Sequence, residues 1–180
     1  MMLLEPLQMP ESVEIDEKTY SETYGKFEIG PLEPGFATTI GNTLRRVLLS
    51  SIQGAAVRYV KIEGLHHEFV PIPGSSSDYI DLILKLKKLV FKMDTVNEVK
   101  LTLEHKGKGV VTAAAIKETA DVKVINKDLE LLEMTEDVDL SMELWVGVGR
   151  GYVSADDQNM EDQPVGVIPV DSIYSPVTRV

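Results

Sequence analysis

One segment of this chain changes the spacing of its apolar residues, and that change narrows the folds open to it. Over residues 36–52, Phe36, Ile40, Leu44, Val47 and Leu48 fall on one stripe at about 100° per residue. Thr38, Asn42, Arg45 and Leu49 fall on the opposite side, with Arg46 on a flank. The spacing predicts an amphipathic helix, closed by Gly54 as its C-terminal cap. On either side the period drops to two. Residues 12–29 contain Val13-Glu14-Ile15 and Phe27-Glu28-Ile29, which predict two half-buried antiparallel strands ended by Gly30-Pro31 and Pro34-Gly35. Residues 55–63 alternate again, up to a turn at Gly64.

Beyond that turn, residues 67–71 read as short and extended, followed by the loop Pro73-Gly74-Ser75-Ser76. A second helix is expected over residues 78–92. Ser77 would be its N-cap, Asp78 and Asp81 would suit its positive end, and Lys85, Lys87, Lys88 and Lys92 its negative end. The rest is strand-rich: residues 98–104, 110–116, 122–125 and 140–148, punctuated by Gly107, Gly109, Asn126 and Asp137. Residues 164–180 hold three prolines and short β-type runs. The fold class expected is α+β, two main helices with mainly antiparallel sheet.

Composition excludes several functions. The net charge is −11, from 29 acidic against 18 basic residues, so the field of the whole chain opposes a phosphate backbone and direct DNA binding is not expected. There is no cysteine, which removes disulfides, thiolate metal sites and thiol nucleophiles together and fits an intracellular compartment. No apolar run approaches the ~18 residues that span a bilayer, so no membrane partner is expected. Residues 1–10 lack the basic flank and apolar core of a signal peptide.

Candidate chemical sites are few. His66 and His67 are sequence neighbours, and in a strand they would point to opposite faces, so they cannot share an ion. His66 and Glu68 could share a face, but no third ligand is evident, and no metal or cofactor is expected. Gly147-Val148-Gly149-Arg150-Gly151 looks like a phosphate cradle but lacks the helix such cradles open into, and reads as a strand end or bulge. Neither His66, His67 nor His105 has a distinctive context around a serine. Asp156-Asp157 and Glu161-Asp162 lie in a polar loop rather than an apolar pocket. No catalytic residue is assigned. Leu49 beside Arg45 and Arg46, by contrast, has the composition of a partner interface, with an ordinary solvated face as the alternative.

The run from Leu32 to Ser51, LEPGFATTIGNTLRRVLLSS, closely resembles the first helix of bacterial RNA polymerase α subunits. Three more blocks occur in the family's order: Gly64-Leu65-His66-His67-Glu68-Phe69, then Gly149-Arg150-Gly151-Tyr152-Val153, then the run from Pro164 to Asp171 (PVGVIPVD) with Tyr174-Ser175-Pro176-Val177. Together they cover nearly the whole chain. The resemblance implies a dimerisation subdomain of residues 1–52 plus 170–180, with a subdomain of residues 53–169 inserted into it. It implies a non-catalytic assembly scaffold that dimerises, one copy receiving the β subunit and the other β′. Arg46, Leu49, His67, Glu68 and Phe69 would contact β, and Lys87 and Val170 would contact β′. Phe36, Ile40, Leu44 and Val47 would form the dimer interface, and Glu161 and Asp162 would meet transcription activators. The family's assembly domain normally continues past the position of Val180 with more strands and a second dimerisation helix, so an exposed apolar patch around Phe36, Ile40 and Val47 is expected in a monomer. A cytoplasmic location follows from the same likeness. Two other functions stay open at this point: a stand-alone binding or regulatory domain of the same fold, and an enzyme acting through His66, Glu68 or the acidic loop.

Overall fold

The alternating opening segment forms a two-stranded antiparallel sheet, β1 (Ser12–Ile15) against β2 (Phe27–Gly30), with Val13 opposite Ile29 and Ile15 opposite Phe27. Gly35 then takes φ +92, a conformation open to glycine but rarely to an L side chain. The helical period begins at the next residue as α1 (Phe36–Ser50). The computed structural model describes residues 8–161 and 163–180. The chain divides into two compact units, Met1–Val47 and Leu48–Val180, so residues 170–180 belong to the second.

The second unit is built on a five-stranded antiparallel sheet. Its strands are β3 (Gln53–Ile62), β5 (Val99–His105), β7 (Ile116–Lys117), β10 (Leu140–Arg150) and β12 (Ile168–Pro169), in the order β12-β3-β10-β5-β7. Alternation does the sorting: Val60 and Ile62 on β3, Leu101 and Leu103 on β5, and Met142, Leu144 and Val146 on β10 all enter one core. Tyr79, Leu82 and Leu86 of α2 (Tyr79–Leu86) join it at helical spacing. Each such side chain contributes about 1.5–3 kcal/mol on burial. Smaller two-stranded sheets complete the unit: β4 (Phe91–Met93) with β8 (Val122–Val124), β6 (Gly109–Thr112) with β9 (Glu130–Met134), and β11 (Tyr152–Val153) with β13 (Ser172–Ile173).

Several expectations are corrected here. The second helix ends at Leu86, not residue 92, and its N-cap is Asp78, whose carboxylate accepts from the Asp81 amide at 2.8 Å. Asn126 explains the early stop: its side-chain Nδ2 donates to the Lys88 carbonyl, and its side-chain oxygen accepts from the Val90 amide, each at 2.9 Å. Those bonds satisfy groups a longer helix would have used, and they release Phe91–Met93 to pair with Val122–Val124. Residues 110–116 are not one strand, because a 3-10 turn at Ala113–Ala115 interrupts them. Gly54 is not a helix cap but lies within β3, opposite Gly149. The strands at 91–93 and 130–134 were not foreseen.

Candidate subunit-contact surfaces

No described residue of 8–47 is buried. On α1, Phe36, Leu44, Val47 and Leu48 are exposed and Ile40 is half-buried, so the expected stripe is formed and open. The adjoining β1–β2 segment exposes Val13, Ile15, Tyr20, Tyr24 and Phe27 as well. A hairpin and one helix without a buried side chain lack a core of their own. Open apolar surface of this extent is characteristic of an interaction face. Arg45 and Arg46 are exposed on the same helix. Leu49, expected to be exposed, is half-buried within the second unit.

Residues 67–70 are corrected from extended to bend and turn, while Pro71 pairs with Asp78 in a single antiparallel bridge. Gly64 at φ +82 reverses the chain, the Leu65 amide bonds the Ile62 carbonyl, and the buried Leu65 side chain anchors the segment. Beyond this anchor His66 and His67 are exposed, Glu68 is half-buried, and Phe69 is 75% exposed. A short alternating run cannot hold a strand without a partner, and here the backbone turns instead. Among the described residues no group of three or more His, Asp or Glu side chains could hold a metal ion.

Lys87 and Val170 sit differently from one another. Lys87 is paired with Asp171 at 2.5 Å, whereas Val170 is 1% exposed and lies in the core. Asp171 also accepts the Ala155 amide at 2.8 Å. The hydrogen bond from Lys87 and that backbone bond hold its carboxyl below the usual aspartate range. Partial desolvation and the Asp171 carboxylate push the Tyr152 hydroxyl upward.

The acidic loop is bolted to the sheet by residues to which sequence patterning assigned no role. The register between β10 and β3 runs from Trp145 opposite Tyr59 to Val146 opposite Val57, leaving Arg58 as the extra residue of a bulge. Bulges re-aim side chains. Arg58 reaches Glu98 at 2.9 Å and its Nε donates to the side-chain Oε1 of Gln158 at 3.2 Å. Gln158 is buried, and its side-chain Nε2 donates to Ser172 Oγ at 2.9 Å, while Ser172 donates to the Val57 carbonyl at 2.8 Å. Tyr59, its hydroxyl raised by burial, donates to the Asn159 carbonyl at 2.7 Å. Glu161 is exposed on the loop so held, and Asp162 lies outside the described residues. The glycine-rich run is the end of β10 and the turn at Gly151, followed by β11 and a single 3-10 turn at Ala155–Asp157 rather than an α-helix. Its glycines mark close approach: a Cβ on Gly147 would meet Arg58 Cδ at 2.7 Å, and one on Gly149 the Tyr174 ring at 2.7–2.8 Å.

Residues 60–175 match the family described as the RNA polymerase Rpb3/RpoA insert domain. The chain belongs to that family. Across 97% of its length it is 49% identical to the DNA-directed RNA polymerase subunit alpha of Salinibacter ruber and 43% identical to that of Rhodopirellula baltica. It is 48% identical over 93% of its length to the subunit of Alkaliphilus metalliredigens. The chain spans about half, 53%, of each of these relatives. The part shared with the insert-domain family contains the 64–69 turn, Lys87, the acidic loop and Asp171. The likeness to α subunits over nearly the whole chain also disfavours a stand-alone regulatory domain.

Proposed function

We propose that this chain is a non-catalytic assembly scaffold of DNA-directed RNA polymerase, pairing with a second copy and receiving the β and β′ subunits. The observation that carries the reading is the first unit's uncovered apolar face, formed with no described residue of 8–47 buried. Phe36, Ile40, Leu44 and Val47 would pack against the same residues of a second copy, a self-complementary two-fold contact. Residues 1–52 with 170–180 would make up the dimerisation part, and 53–169 the inserted part. In the likeness to α subunits, Arg46 and Leu49 take the β contact together with His67, Glu68 and Phe69. The exposed phenyl ring of Phe69 supports that role, since exposed aromatics are the usual anchors of an interface. In the same likeness Lys87 belongs to the β′ contact, with Val170 supporting that surface from the core rather than touching a partner, and Glu161 with Asp162 to the meeting point with activators.

The test is co-expression of the complete gene product carrying this sequence with β and β′, followed by capture on a tag. Wild type should bring down both. Arg46→Ala should lose β while the purified chain keeps its melting temperature, and capture undiminished by Arg46→Ala would contradict the assignment. A chain that captures neither subunit in its wild-type form would end the scaffold reading altogether.

A further inference from the structure

Among the described residues, tyrosines aside, only two polar side chains are buried, Gln158 and Ser172, and they are bonded to each other. A buried polar pair is costly unless each group finds a partner, and once satisfied it fixes one arrangement. Here each group is satisfied. Gln158 Oε1 accepts from Arg58 Nε, Gln158 Nε2 donates to Ser172 Oγ, and Ser172 donates on to the Val57 carbonyl. Period two fixes the face of the sheet on which this happens. Leu144 and Val146 of β10 enter the core, so Trp145 between them points to the opposite face, and with it Tyr59, its partner in the register. Tyr59 is nevertheless 1% exposed, and its hydroxyl is held by the Asn159 carbonyl. Residues 158 and 159 therefore lie as a strap over the non-core face of β3.

Beyond Ala155, whose amide Asp171 holds, the acidic loop bonds within itself only over short spans: Asp157 to Ser154, Gln158 to Ala155, Gln163 to Met160, and the Glu161 amide to the Asn159 side chain. Bonds that short close turns but do not set where the turns sit on the sheet. We propose that Gln158 is the anchor of the acidic loop, that Arg58 and Tyr59 are its positioning residues, and that this seating fixes where Glu161 is presented. The inference rests on the scaffold reading for the use of Glu161 and adds what aims it. Arg58 suits the role because it is the extra residue of the β3 bulge and is held from its far end by Glu98 at 2.9 Å. Gly147 leaves the space its side chain crosses, since a Cβ there would meet Arg58 Cδ at 2.7 Å.

The experiment uses the complete gene product carrying this sequence and measures amide hydrogen exchange in peptides covering residues 157–161, with thermal melting alongside. Gln158→Leu keeps the bulk of the side chain and loses its polar bonds. Exchange in those peptides should rise at least ten-fold, while β3 and β10 keep wild-type protection. Gln158→Glu keeps the acceptor for Arg58 and should recover part of the difference. Gly147→Ala leaves every polar group in place but displaces Arg58, and should also speed exchange; unchanged exchange there overturns the role of Arg58. Wild-type exchange in Gln158→Leu overturns the proposal, and so does equal exchange in Gln158→Leu and Gln158→Glu. Should Gln158→Leu not fold, Tyr59→Phe carries the test through Asn159: faster loop exchange supports the seating, and unchanged exchange overturns it. In activator-dependent transcription Gln158→Leu should lose as much as Glu161→Ala, and full activity of Gln158→Leu beside a defective Glu161→Ala overturns the claim that seating aims Glu161. No defect in either variant would instead remove activators from this loop, a failure of the scaffold reading that the exchange data distinguish from a failure of the seating.

Discussion

Replacing Gly54 by alanine adds a methyl group where the fold leaves no room for one. A Cβ at Gly54 would lie 1.9 Å from the Tyr174 carbonyl oxygen and 3.1 Å from its carbon, whereas real Cβ atoms essentially never come within 3.0 Å of a neighbour. Gly149, opposite Gly54 in the ladder, receives the Tyr174 ring. The two glycines thus form a slot in which one buried tyrosine seats the strand that carries Asp171 and Ile173. Because the obstacle at Gly54 is backbone, no rotamer change relieves it, and Tyr174 must move by roughly 1 Å. Overpacking of this kind costs about 1–3 kcal/mol, and loosening the Ser172 bond to Val57 adds about 1 kcal/mol. We expect Gly54→Ala to lose about 3 kcal/mol, or roughly 6–12 °C in Tm for a chain of this size. Urea denaturation measures the loss, with Gly41→Ala as the control: nothing lies within 4 Å of a Cβ at this helical position, and alanine there should gain about 0.5–1 kcal/mol. A loss below about 1 kcal/mol at Gly54, under the low end of the cost of overpacking, would refute the seating argument.

Three further outcomes are expected. Phe36→Ser with Val47→Ser should leave the folding stability of the monomeric chain within about ±0.5 kcal/mol of wild type yet reduce self-association in sedimentation; unchanged association would remove these residues from the dimer face. Asp171 has its folded-state pKa depressed below the ordinary 3.8, so its stabilising contribution is fully present above that value and fades as pH falls through the lower, folded pKa. Asp171→Asn should accordingly lower stability at neutral pH and flatten the acid limb of an unfolding titration below the ordinary aspartate pKa of 3.8, while a parallel limb in the variant would place the titration elsewhere. Glu161→Ala should leave stability within about ±0.5 kcal/mol while lowering activator-dependent transcription; a marked fall in Tm would make the residue structural.

The sequence by itself determined the elements whose cause is local. The switch from period two to helical period at Phe36, the alternation that sends Val60 and Ile62 inward, and the apolar stripe of α1 all follow from residues within a few turns of one another. The composition and motif blocks were enough to indicate the family. Tertiary structure alone decided what depends on a distant partner. Asn126 ends α2 from 38 residues away, so the helical run into residue 92 could not reveal that Phe91–Met93 would pair as a strand. Gly54 resembles a cap in sequence because the tyrosine carbonyl that requires a missing side chain arrives from Tyr174, long after it. Arg58 is re-aimed by a bulge, Ser172 finds Val57 across 115 residues, and Val170 turns inward where the motif suggested a contact. Local periodicity assigns each residue a face, but which face is covered, and by what, is set by long-range pairing that no window of neighbouring residues contains.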